Sequence, residues 1–141
     1  MSSPPTDSST SSITGLVAML PVADVERSIS FYRLLGLEVG HSVPSSGPKH
    51  WAWLYSPAAS DWKRGPNLML TRAANVPAIQ SPPFLLYLYI TDLDSLRQKL
   101  LADGLSPGEI CYPEYLPKGE FALSDPDGYT LMLAQSATDT P

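Results

Sequence analysis

Cysteine is almost missing from this 141-residue chain: Cys111 stands alone, so neither an intrachain disulfide nor a cysteine-built zinc cluster can form. A reducing interior suits such a sequence. Histidine is nearly as scarce, with only His41 and His50. Charged residues make up 16% of the chain, and nine basic side chains spread through a sequence of formal net charge -5 leave no patch to neutralise a run of phosphates. Nucleic acid is therefore not an expected partner. The longest apolar stretch, 84–90, falls far short of the ~20 residues that span a bilayer, so no membrane partner is expected either. Residues 1–12 have no basic start and no apolar run, unlike a signal peptide. They read as a tail on a cytoplasmic protein. Gly-rich phosphate loops and the G-x-S-x-G elbow are also missing. What is present is a hydrophobic fraction of 43%, sufficient for one packed domain.

That domain repeats itself. Residues 17–36 lie over 85–104 without a gap: Val22 meets Ile90, Asp24 meets Asp92, Val25 meets Leu93 and Gly36 meets Gly104, each pair 68 positions apart. Asn67-Leu68-Met69-Leu70 then matches Thr130-Leu131-Met132-Leu133 at 63 positions, so a loop in the first half is longer. Each half opens with a strand, 15–22 and 84–90, rich in β-branched, aromatic and aliphatic residues. A helix follows, capped by Asp24 or Asp92 at its start and stopped by Gly36 or Gly104. The buried stripes are predicted as Val25, Ile29, Tyr32 and Leu35, then Leu93, Leu96, Leu100 and Leu101. Three further strands complete each half: 38–43, 50–55 and 67–71, then 110–115, 119–124 and 129–134. Asp125-Pro126-Asp127-Gly128 is a strong turn signal before the last strand. The expected organisation is a tail at 1–12, a single domain at 13–135 and a C-terminal tail at 136–141. Within the domain, βαβββ units at about 13–74 and 84–135 are joined by a proline-rich linker at 75–83.

Over about residues 13–135 the sequence resembles the vicinal oxygen chelate superfamily of glyoxalases, bleomycin resistance proteins and dioxygenases. The resemblance is carried by Leu20-Pro21-Val22-Ala23-Asp24 leading to Ser28, by Phe31-Tyr32 and Leu35-Gly36-Leu37, and by Ile90-Thr91-Asp92-Leu93 with Ala122-Leu123-Ser124-Asp125-Pro126-Asp127-Gly128. It implies an α+β fold: two tandem βαβββ repeats forming a curved, open eight-stranded mixed sheet with helices outside. In metal-using members it also implies a ligand near the start of each half's first strand and another near each half's last strand. The matching positions here are Val17, Leu85, Met69 and Met132. None suits a divalent ion that wants carboxylate oxygen or imidazole nitrogen. His41 and His50 fall outside those positions and read as surface or hydrogen-bonded histidines. No metal and no cofactor are expected.

Strand alternation assigns the remaining candidates. Met19 shares a face with Val17, while Tyr87 and Tyr89 share one with Leu85. Asn67 and Thr130 accompany Met69 and Met132. Trp51 and Trp53 face one side of their strand, which side being open at this stage. Met, Tyr and Trp walls suit planar organic molecules, although large apolar strand residues also serve as core. Glu114, Tyr115 and Glu120 flank the loop at 116–119 and offer a polar rim for a cationic ligand, or a solvated turn. The expected ligand-binding set is Met19, Trp51, Trp53, Asn67, Met69, Tyr87, Tyr89, Glu114, Thr130 and Met132, with no catalytic residue assigned.

The leading expectation is a metal-free protein of the glyoxalase/bleomycin resistance type that sequesters a drug-like or aromatic molecule in an apolar cleft. Family resemblance implies a homodimer whose clefts are completed by the partner chain. Two alternatives stay open. One is a lyase, isomerase or dioxygenase using atypical groups such as Tyr87, Tyr89, His50 or Glu114; the other is a dimeric regulatory or scaffold module whose cleft its own side chains fill.

Overall fold

The computed structural model describes residues 12–61, 64–74 and 84–136. The linker predicted at 75–83 lies outside the described residues, as do both predicted tails apart from Ser12 and Ser136. Among the described residues seven strands and two helices form in the order β1 (Ala18–Val22), α1 (Val25–Arg33), β2 (Glu38–Val43), β3 (Trp51–Tyr55), β4 (Asn67–Arg72), β5 (Leu86–Ile90), α2 (Leu93–Ala102), β6 (Glu120–Ser124) and β7 (Thr130–Gln135). They build two sheets rather than the single eight-stranded sheet expected. The first has the order β1-β4-β3-β2 and the second β5-β7-β6.

The internal repeat appears as equal pairing. β1 runs parallel to β4 with Met19 opposite Met69, and β5 runs parallel to β7 with Tyr87 opposite Met132. Asp24 caps α1 by accepting the Arg27 N–H at 3.1 Å, and Asp92 caps α2 by accepting the Ser95 N–H at 3.1 Å. Gly36 and Gly104 close the helical turns at φ 100° and 87°, a region that a side chain would strain. On α1 the buried stripe is Val25, Ser28, Ile29, Phe31 and Tyr32. On α2 Leu93 and Leu100 are buried and Leu96 is partly so, but Leu101, predicted to share that stripe, turns outward at 47% exposure.

The strand expected at 110–115 is reduced to one bridge between Cys111 and Glu120. The two residues exchange N–H···O bonds of 2.8 and 2.9 Å. Pro113 has no N–H for a ladder, and its carbonyl accepts the Leu116 N–H at 2.9 Å, which turns the chain away. In the first half, by contrast, β2 pairs with β3 along its length.

Both halves feed one cluster of buried side chains. It includes Leu20, Val22, Leu54 and Leu70 from the first sheet, Phe121, Leu131 and Leu133 from the second, and Val25, Ile29, Leu93 and Leu100 from the helices. Polar contacts add orientation. The β6–β7 turn docks on the start of α1: Asp127 accepts from the Ala23 N–H at 3.0 Å and pairs with Arg27 at 3.2 Å. Beneath it, the Tyr32 hydroxyl donates to the buried Asp125 carboxylate at 2.8 Å, while the Asp127 and Tyr129 amides donate to its other oxygen, both at 2.9 Å. Tyr129 completes the clasp by donating to the Pro21 carbonyl at 2.8 Å.

Burial pushes the Asp125 carboxyl above its ordinary value, opposed by those three hydrogen bonds. A carboxyl raised in the folded state holds its proton more tightly there than in the unfolded chain. Its contribution to stability is fully present below the unfolded value of about 3.9 and is lost as pH rises through the folded value. Tyr32→Phe should therefore destabilise the protein by about 1–3 kcal/mol in denaturant unfolding. It should also raise the Asp125 carboxyl further in a carbon-13 titration. Unchanged values in both experiments would show that the clasp does not tie the halves together.

Candidate functional site

Each sheet gives its helices one row of side chains and keeps a different row for the other face. Leu20, Leu54, Leu70, Leu131 and Leu133 on the helix side are at most 1% exposed. On the opposite side Met19 is 54%, Tyr87 39% and Tyr89 65% exposed. Exposed apolar side chains grouped on one face mark an interaction surface.

On the first sheet, cross-strand pairing sets Met19, Met69 and Trp53 in a row across β1, β4 and β3. Trp51 and Trp53 therefore lie on the face turned away from α1, which settles the side left open by the sequence. Asn67 shares that face, and its side-chain oxygen accepts the Trp53 indole N–H at 3.2 Å. Trp53 also stacks on Tyr55, with ring centroids 5.2 Å apart and planes 12° apart. A bulge in β2 between Val39 and His41 presents both Gly40 and His41 to the tryptophans. His41 meets Trp51 edge-on at 5.6 Å. Gly40 is required by close approach: a Cβ there would overlap Cζ3 and Cε3 of Trp53.

The second sheet places Tyr87, Met132 and Ala122 in the corresponding row, with Thr130 one step along β7. Tyr87 and Tyr89 lie side by side at 6.3 Å. Tyr89 and Glu120 flank Ala134 on neighbouring strands. The small Ala122 and Ala134 side chains leave room for the Tyr87 hydroxyl to reach diagonally to Glu120, donating to Oε1 at 3.0 Å. Tyr115 donates to Oε2 of the same carboxylate at 3.2 Å. Hydrogen bonding with Tyr115, loss of solvation and the adjacent Glu120 carboxylate push the Tyr87 phenol above its ordinary value. It keeps its proton at neutral pH and is unsuited to act as a general base.

The ten predicted residues thus divide. Met19, Trp51, Trp53, Asn67 and Met69 gather on the first sheet, and Tyr87, Tyr89, Thr130 and Met132 on the second. Glu114 joins neither group and stands exposed on the turn beside Tyr115. Glu120, only 6% exposed, takes the inward place instead. Its alternation with Ala122 and Ser124 on β6 was the available signal. His41 was also passed over, because nothing in the sequence announces the β2 bulge. Between the halves, a cavity of about 770 Å3 is lined by Leu34, Leu35 and Leu37, by Asn67 and Leu68, and by β5 from Leu86 to Ile90. Tyr87 and Tyr89 border it as well.

The donors do not fit a metal ion. Val17, Met69, Leu85 and Met132 provide no oxygen or nitrogen, and no group of three or more His, Cys, Asp and Glu converges among the described residues. No helix among those residues is long and apolar enough to cross a membrane.

This arrangement, helices on one side of the strand units and an aromatic face on the other, defines an α+β protein of two tandem repeats, βαβββ followed by βαββ. A model of the Glyoxalase/Bleomycin resistance protein/Dioxygenase superfamily matches residues 15–133, and the chain belongs to that superfamily. Among solved structures, a bleomycin-binding protein complexed with bleomycin is similar at 20% identity and TM-score 0.66, covering 86% of this chain and 98% of its own. TnmS3, an antibiotic binding protein from Streptomyces sp. CB03234, matches at 21% identity and TM-score 0.63, covering 90% and 99%. The fosfomycin resistance protein FosX from Listeria monocytogenes matches at 13% identity and TM-score 0.67, covering 90% and 97%. No curated protein matches the sequence.

The packing of Trp53 gives a direct check on the first face. Gly40→Ala should displace the indole and break its bond to Asn67, moving the Trp53 indole N–H resonance, assigned with Trp53→Phe. An unmoved resonance would contradict the close approach.

Proposed function

We infer that this protein binds a small aromatic or drug-like molecule on the helix-free faces of its sheets and releases it chemically unchanged. One observation carries the reading: Met19, Tyr87 and Tyr89 stand exposed beside half-buried Trp53, Met69 and Met132, on the faces that pack no helix. Fully covering one exposed side chain of this kind is worth about 1.5–3 kcal/mol, so a planar guest touching several of them gains favourable contact without a metal. Thioether and aromatic groups hold a guest by contact and offer nothing to polarise a carbonyl or activate water. Similarity to bleomycin-binding and antibiotic-binding structures agrees with sequestration.

A second copy of the chain completes the cleft in this reading. Closed symmetric pairing is the commonest way to cover an exposed apolar face. Light scattering on the purified protein is expected to give twice the 15.3 kDa chain mass; a monomer at micromolar concentration would remove this part of the proposal.

The binding itself is tested by a thermal-shift screen of glycopeptide and aromatic compounds, run with a chelator and with added divalent ions. A compound class should raise the melting temperature equally in both conditions and be recovered intact by mass spectrometry. Tyr87→Ala should abolish that shift without unfolding the protein. A requirement for metal, or turnover of a glutathione hemithioacetal or a catechol, would replace sequestration with catalysis.

A further inference from the structure

Glu120 has a feature that the rest of the aromatic face lacks. Its side chain belongs to a residue 94% buried, yet among the described residues no Lys, Arg or His forms an ion pair with it. Lys118, two positions away, is exposed and forms no ion pair with it. The two phenols of Tyr87 and Tyr115 fill one lone-pair direction on each oxygen, out of about four that a carboxylate offers. Buried carboxylates are ordinarily paired with a cation. Tyr89, 65% exposed, stands beside Tyr87 and shares Ala134 as a cross-strand neighbour with Glu120, and Tyr115, which bonds the carboxylate, is 68% exposed. The negative face of an aromatic ring attracts a cation, and a carboxylate among such rings adds charge-assisted hydrogen bonds.

We propose that Glu120, framed by Tyr87, Tyr89 and Tyr115, is an anchoring subsite for an organic cation, specifically a protonated amine carried by the ligand. The inference rests on the aromatic face being a ligand site, and it assigns the class of molecule that the face takes. The amine N–H groups donate to Glu120 while the adjoining carbons lie against Tyr89. The aromatic remainder of the ligand extends toward Met132. A neutral or anionic ligand of equal shape leaves the carboxylate without its counter-charge, and the chain's formal charge of -5 disfavours an anion further.

Calorimetric titration of the full-length protein with 2-naphthylmethylamine and with 2-naphthylmethanol, at neutral pH, separates the two claims. The ammonium is expected to bind roughly tenfold or more tightly than the alcohol, the range of a charge-assisted hydrogen bond. Glu120→Gln should erase the preference, bringing the amine and the alcohol to similar affinities. Tyr89→Leu, at an exposed position outside the two hydrogen bonds to the carboxylate, should reduce the preference several-fold. It keeps the test decisive if Glu120→Gln fails to fold, as judged by circular dichroism. Equal binding of amine and alcohol, or a preference undiminished in either folded variant, overturns the cation subsite while leaving the aromatic face a ligand site. Binding of neither compound overturns both.

Discussion

A β-strand can hide only one of its two rows of side chains against a helix, because successive residues point to opposite faces. Here one row, running through Leu20, Leu54, Leu70, Leu131 and Leu133, is committed to the core. The other row is free of packing duty toward the helices, and it carries Met, Trp and Tyr rather than the polar residues of a solvated sheet face. That departure from ordinary alternation is the source of the functional reading. The docked turn at Asp125 and Asp127 matters for the same reason. It fastens the second half to the start of α1, joining the two units that carry the aromatic rows.

Much of the fold was legible because it is written twice. The 68-residue offset locates β5 and α2 from β1 and α1, and the 63-residue offset locates β7 from β4. Asp24, Asp92, Gly36 and Gly104 mark the helix ends through local chemistry that needs no tertiary knowledge. The missing eighth strand is a place where the repeat misleads: the first half has a full β2, but Pro113 interrupts the equivalent stretch of the second. Leu101 misleads for a related reason, since α2 buries a narrower stripe than the spacing of its leucines suggests.

The site was legible in outline and less so in detail. Alternation placed Met19, Met69, Tyr87 and Met132 on matching faces, but the side taken by Trp51 and Trp53 depends on the β3–β4 register. Glu114 and Glu120 both lie close to one loop, and in the sequence only the alternation of Glu120 with Ala122 and Ser124 tells them apart. What separates them is the cross-strand distance opened by Ala122 and Ala134, through which Tyr87 reaches only Glu120. Fold similarity alone does not select a function, since structures described as bleomycin-binding and as fosfomycin resistance proteins match this chain about equally well. More weight falls on the four positions at which the resemblance implies metal ligands, and here they are Val17, Met69, Leu85 and Met132.

Methionine offers an economical probe of this account, because three of the four methionines, Met19, Met69 and Met132, lie on the two faces in question. The decisive measurement is a carbon-13 methyl spectrum of methionine-labelled protein, titrated with an aromatic compound that raises its melting temperature. The account predicts upfield ring-current shifts at these three methyls. Stabilisation by the compound with all three methyl signals unmoved would place the ligand elsewhere and contradict the central claim.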